Sequence, residues 1–127
     1  MPTRNLSYTD FESTIRDNDI VLVDFWASWC GPCRAFAPVF ERSAAAHPEI
    51  VHAKVDTQAE PELATLMDIR SIPTIAAFRD GVLVFSQPGA LPGAALEDLI
   101  SQVAALDMDK VRAAIAARKA ETAAIAH

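Results

Sequence analysis

The two cysteines of this 127-residue chain stand three positions apart, in the run Trp29-Cys30-Gly31-Pro32-Cys33. An apolar, β-branched stretch precedes them, Ile20-Val21-Leu22-Val23-Asp24-Phe25-Trp26-Ala27, and a helix-like stretch follows. A Cys-x-x-Cys at a strand-to-helix junction of an α/β pattern reads as a redox motif and not as a scaffold staple. It also fixes an order for the chain: a buried strand, a turn carrying two thiols, then a helix.

The rest of the sequence extends that order. Residues 20–27 are continuously apolar and not alternating, as in a strand covered on both faces. A long helix is predicted from about Gly31 to His47, where Pro48 stops it, with Pro38 removing one of its hydrogen bonds. Ile50-Val51-His52-Ala53-Lys54-Val55 reads as a second interior strand. Pro61 suits the first position of a short helix over 61–67, where its missing N–H costs nothing. Residues 74–79 and 82–85 form a hairpin around Asp80-Gly81. A further helix runs from Pro92 to about Ala105, and Thr9-x-x-Glu12 is a capping-box pattern for a helix near the amino terminus. The expected class is α/β: one mixed sheet of about five strands, with helices on both faces.

Composition narrows the function. At 51% hydrophobic the chain has apolar material for one real core. A formal charge of -6 disfavours nucleic acid and anionic membrane as generic partners. No apolar run approaches the ~20 residues of a membrane span. The first residues, Met1-Pro2-Thr3-Arg4-Asn5-Leu6, lack an apolar signal region. A soluble cytoplasmic protein is expected, and in a reducing compartment two cysteines do not serve stability.

These residues carry a resemblance. Val21-Leu22-Val23-Asp24-Phe25-Trp26-Ala27, Trp29-Cys30-Gly31-Pro32-Cys33, Pro38, Ile72-Pro73-Thr74, Asp80-Gly81 and Gly89-Ala90-Leu91 match the thioredoxin pattern in type and spacing, over roughly residues 5 to 105. A bare Cys-x-x-Cys would be weak; Trp-Cys-Gly-Pro-Cys after an Asp-bearing strand, with Ile-Pro-Thr further on, is specific. The chain is identified as a bacterial-type member with a C-terminal helical extension. The resemblance implies the thioredoxin fold and a general protein-disulfide reductase, with a redox-active Cys30–Cys33 disulfide and no bound cofactor.

The chemistry follows residue by residue. A thiolate, not a thiol, attacks a disulfide. Cys30 precedes the helix, where free N–H groups and the dipole favour an anion. The resemblance carries over a thiol titrating near ~7 against ~8.5 for free cysteine, a family magnitude. Cys33, one turn further in, is the resolving thiol. Gly31 and Pro32 add nothing that would stabilise the thiolate further, which favours a reductant over an oxidant.

Asp24 stands among core residue types, and burial raises a carboxylate's pKa. One reading is a satisfied core carboxylate paired with Lys54. The other, which the resemblance supports, is a proton acceptor for Cys33. Trp26 is either core or a supporting residue. By resemblance Pro73 is a cis-proline facing the disulfide, leaving the Ile72 backbone free to pair with an extended substrate. Trp29, Gly31, Pro32, Ile72, Pro73, Gly89 and Ala90 would form an apolar platform around Cys30. Two departures stand out: Ser71 replaces a glycine common in the family, and residues 56–60 lack the more usual second aspartate.

Other readings compete with this one. A zinc site needs four ligands, and His47, His52 and His127 do not supply the spacing. The histidines are expected at the surface. A static disulfide across two residues stabilises little. The functional alternatives are a dithiol oxidant or isomerase, and a redox-independent binding or chaperone subunit using the platform. Implied partners are an NADPH-dependent thioredoxin reductase and oxidised proteins, with the chain a monomer and neither nucleic acid nor membrane involved.

The tail lies outside the thioredoxin pattern. The division is a thioredoxin domain over 1–106 and a helical extension over 107–127. Asp107 can cap a helix from Met108. Met108, Val111 and Ile115 form a short apolar stripe, and Ala at eight of the last twenty positions supports helix. The first turns should dock and the end, towards His127, should fray.

Overall fold

The structure is a computed structural model and describes residues 2–126. Its elements run β1 (Thr3–Asn5), α1 (Tyr8–Asp17), β2 (Ile20–Trp26), α2 (Gly31–Ala46), β3 (Val51–Asp56), α3 (Pro61–Leu66), β4 (Thr74–Arg79), β5 (Val82–Pro88), α4 (Gly93–Ala104) and α5 (Met108–Ala126). The five strands form one sheet in the order β1-β3-β2-β4-β5. β3 pairs in parallel with β1 and β2, while β4 runs antiparallel to β2 and β5. The expected mixed sheet is therefore present, and β2, bearing Asp24, is its centre.

Strand alternation sorts the core into two layers. Val21, Val23 and Phe25 of β2 face α1 and α3, packing with Phe11, Ile15 and Leu63. Leu22 faces the other way, towards Phe36 and Phe40 of α2 and Leu96, Leu99, Ile100 and Val103 of α4. Asp24, two residues past Leu22, projects on this second side. The hairpin turn works as its residues require: Asp80 and Gly81 take φ of 52° and 80°, which favours small or turn-forming residues.

Three expectations need correction. β1 was not foreseen: it is a three-residue edge strand, mostly exposed, and too short to show a period. The first helix is capped two residues earlier than Thr9 and Glu12 suggest. Its N-cap is Ser7, whose N–H donates to Asp10 Oδ1 at 2.7 Å. His52 is not at the surface but 1% exposed in β3. Its Nδ1–H donates to the Ile50 carbonyl at 3.2 Å, so Nε2 is the acceptor for the Ser43 hydroxyl at 2.9 Å. The ring also packs 5.1 Å from Phe40.

Beyond α4 the chain turns at Leu106 and enters α5. Asp107 Oδ1 accepts from the N–H groups of Asp109 and Lys110, at 3.1 and 3.2 Å. Met108 is buried, Val111 and Ile115 are half-buried, and the helix continues to Ala126 with an exposed second half. His127, where fraying is expected, lies outside the described residues.

Candidate active site

The β2–α2 connection places the thiols. Ala27 and the two turn residues Ser28 and Trp29 separate the end of β2 from Cys30, the N-cap of α2. The Cys33 N–H donates to Cys30 Sγ at 3.2 Å, so the sulfur meets one of the orphan donors at the helix start. The Arg34 N–H donates to the Cys30 carbonyl at 3.1 Å and begins the helical ladder. Pro32 occupies the first turn, where no N–H is missed. The two cysteines are joined as a disulfide with Cα atoms 5.2 Å apart, a separation normal for the bond. Both are nearly buried, at 4% and 2% exposure.

A second segment comes up against the first. The Ile72–Pro73 peptide is cis, and the Ile72 carbonyl oxygen lies 3.7 Å from Cys30 Sγ. The Pro73 carbonyl accepts from the Gly89 N–H at 2.7 Å, which ties the 86–91 segment to the same place. Gly89 takes φ of 105°, a conformation that disfavours any side chain there. The fold thus brings together the sequence-predicted residues Cys30, Cys33, Ile72, Pro73 and Gly89. Trp29 is 65% exposed, Gly31, Pro32, Gly89 and Ala90 are exposed, Ile72 is half-buried and Pro73 buried. Two arginines not singled out in the sequence, Arg34 and Arg70, also stand at this rim; their signal was position, one residue after Cys33 and two before Ile72.

Asp24 lies beneath the surface on the α2 side of the sheet. It is fully buried, and neither carboxylate oxygen has a hydrogen-bond partner. Burial pushes its pKa up to about 7, against the opposing pull of the Lys54 charge. Lys54 is the direct neighbour of Asp24 in the β2–β3 register. The pairing with Lys54, one of the two readings of Asp24, is not made: the Lys54 ammonium lies 4.9 Å over the Trp26 ring instead. The Trp26 indole Nε1 is buried without a partner. Among the described residues no group of three or more His, Cys, Asp or Glu could hold a metal ion.

Comparison with known proteins matches this arrangement. The thioredoxin family model covers residues 2–102. The chain belongs to the thioredoxin family. A thioredoxin homologue of Streptomyces coelicolor is 54% identical over 119 residues, spanning 94% of this chain and 89% of that one. The thioredoxin C-3 of Corynebacterium nephridii is 39% identical over 98 residues, spanning 76% of this chain and 68% of that one. Among solved structures, a mutant thioredoxin of Halobacterium salinarum superposes with a TM-score of 0.75 at 36% identity, covering 80% of this chain and 90% of that one. The chain is a thiol-disulfide oxidoreductase of the thioredoxin fold, with its paired cysteines at the head of α2. Among the described residues no helix is long and apolar enough to cross a membrane.

Proposed function

We propose that the chain is a general protein-disulfide reductase of the cytoplasm, working as a monomer by thiol-disulfide exchange. The observation that carries the reading is the setting of Cys30 Sγ, which accepts from the Cys33 N–H at the head of α2 and lies 3.7 Å from the Ile72 carbonyl. A helix start favours the anionic sulfur, and Gly31 and Pro32 add no further charge that would make the couple oxidising.

In the reduced protein the Cys30 thiolate attacks one sulfur of a substrate disulfide. The substrate S–S bond breaks, a Cys30–substrate disulfide forms, and the first substrate thiolate leaves and takes up a proton. Cys33, its proton passed to Asp24 directly or through water, then attacks Cys30 Sγ. The mixed disulfide breaks, the Cys30–Cys33 bond forms, and the second substrate thiolate leaves. Two electrons have passed from the dithiol to the substrate. An NADPH-dependent thioredoxin reductase returns them, and the disulfide is the only electron carrier the chain needs. Trp29, Gly31, Pro32, Ile72, Pro73, Gly89 and Ala90 form the platform on which an extended substrate rests, with Lys54 and Trp26 as supporting residues beside Asp24. An apolar, largely flat surface of this kind accepts many proteins.

The test is trapping. Cys33→Ser should accumulate partners covalently bound through Cys30, released by dithiothreitol, and Cys30→Ser should trap none. Equal capture by both variants would overturn the reading, and a reduction potential less negative than the glutathione pool would assign an oxidant instead.

A further inference from the structure

Two arginines stand on the segments that meet at Cys30, in a chain whose formal charge is -6. Arg34 lies on the first turn of α2; its Nη1 donates to the Ser28 carbonyl at 2.9 Å. Its Nη2 is 3.9 Å from where a Cβ on Gly31 would sit, so this cation lies alongside the Gly31 edge of the site. Arg70 stands two residues before Ile72, in the wall of a groove of about 430 Å³ lined also by Trp29, Thr57, Ala64 and residues 69–72. Arg70 is the one charged residue lining that groove, and its side chain is 85% exposed. Ser71, where glycine is common in the family, adds a hydroxyl to the same wall.

The three segments gathered around Cys30 are less acidic than the rest of the chain. The segments 28–34, 68–73 and 86–91 hold two arginines and one aspartate, a formal +1, which leaves -7 for the rest of the chain. The aspartate is Asp68, whose Oδ1 accepts from Arg70 Nε at 3.1 Å with both side chains solvated. Such an exposed pair is weak and engages one of five N–H donors of the guanidinium. A carboxylate arriving beside Trp29 can take the remaining fork bidentately.

We infer that the site prefers disulfides set in acidic polypeptide segments, with Arg70 and Arg34 as specificity-determining residues near Cys30. The inference rests on the protein-disulfide reductase reading. A carboxylate close to the substrate cysteine meets Arg70 at the Trp29 groove or Arg34 beside Gly31. Basic segments are repelled at the rim by the same two groups, so the preference has an attractive and a repulsive part. It acts on encounter as well as on the bound complex, and it is salt-sensitive.

The experiment uses disulfide-linked dimers of one short peptide in which the residues flanking the cysteine are Glu, Gln or Lys. Rate constants for their reduction by the reduced full-length chain are divided by those for dithiothreitol, which removes the effect of the flanking charge on the leaving thiol. At low salt the normalised Glu-over-Lys ratio should be about five- to tenfold, as two exposed charge contacts would give. It should approach one in 1 M salt, and fall to one or below in Arg34→Glu/Arg70→Glu. Equal normalised rates in the wild type, or a ratio that the double variant leaves unchanged, would overturn the preference alone. Failure of the wild type to reduce any dimer that dithiothreitol reduces would overturn the reductase reading and this inference with it.

Discussion

Lys54 stands opposite Asp24 across the β2–β3 ladder, yet its ammonium rests over Trp26 and gives the carboxylate no hydrogen bond. The lysine acts on Asp24 only through space, and burial outweighs it, so the carboxyl titrates at about 7. An uncompensated buried acid is costly to the fold when ionised. Its position on the α2 side of the central strand gives it a use in the proposed chemistry.

The first prediction concerns stability. The Asp24 pKa is raised on folding, from 3.8 to about 7. Below pH ~4 the carboxyl is neutral in both states and costs no ionisation. Between ~4 and ~7 the native state binds more protons than the unfolded chain, so stability falls as pH rises, levelling above ~7. Three units correspond to on the order of 4 kcal/mol as a ceiling. Asp24→Asn should therefore be more stable than the wild type by a few kcal/mol at pH 8 and nearly equal to it at pH 4. Urea unfolding at the two pH values measures the difference; a constant offset would mean that the carboxylate is not desolvated.

How much of this was visible in the residues depends on the kind of signal. Asp24 was legible because a lone carboxylate in an apolar strand has few explanations. The thiols, the hairpin and the helix starts at Gly31 and Met108 each carry local chemistry that holds in any context. His52 was not legible. It sits in a strand whose apolar neighbours face the other layer, and its partner Ser43 comes from a helix that only the crossover brings near. β1 and the absence of an ion pair between Asp24 and Lys54 share this cause. Both are decided by which strand lies alongside and what else competes for the side chain, and neither is written in spacing. Arg34 and Arg70 are ordinary surface residues in sequence and become a pair only around Cys30.

A second prediction concerns rate. In the proposed mechanism a carboxyl that changes state near pH 7 governs deprotonation of Cys33. Resolution of a preformed Cys30 mixed disulfide should rise with pH through about 7 in the wild type. In Asp24→Asn that step should be absent and the rate at neutral pH lower by roughly tenfold or more, at or below the usual range for a positioned base. Stopped-flow fluorescence would follow it. A profile in the variant that overlays the wild type removes Asp24 from the proton path.

The two described histidines should titrate in opposite directions. His47 Nε2 lies 2.6 Å from Glu97 and Nδ1 3.3 Å from Glu49, and these carboxylates raise its pKa above 6.5. That contribution to stability is fully present below 6.5 and is lost as pH rises through the folded value. His52 is held neutral by burial, which lowers its pKa. Its contribution is present above 6.5 and is lost as pH falls through the lower folded value. Ring proton shifts in NMR should give a midpoint above 6.5 for His47 and below it for His52. His47→Gln should lose stability relative to wild type at pH 5.5 and rejoin it in the alkaline range; a uniform loss would assign the pair a packing role only.

The last prediction concerns the tail. The Arg79 Nη1 donates to the carbonyls of Val103, Ala104 and Leu106, at 2.7, 3.1 and 3.4 Å, and so satisfies the end of α4 from the sheet. α4 is thus closed without help from α5, and what α5 adds is mainly Met108, buried at 6% exposure. Val111 and Ile115 line a shallow groove against Leu83 and Val84 of the edge strand, and the rest of the helix is solvated. Truncation after Leu106 should then cost about 2 kcal/mol, the worth of one buried methionine. Met108→Ala should reproduce most of that loss. Reductase activity should persist in both, since no α5 residue is among those gathered around Cys30. Arg79→Ala should be at least as destabilising as the truncation, because it leaves the carbonyls at the end of α4 without a donor. Chemical unfolding with a disulfide-reduction assay reads all three. Loss of activity on truncation, or a change of mass in solution from that of a monomer, would show that α5 serves a contact beyond its own domain.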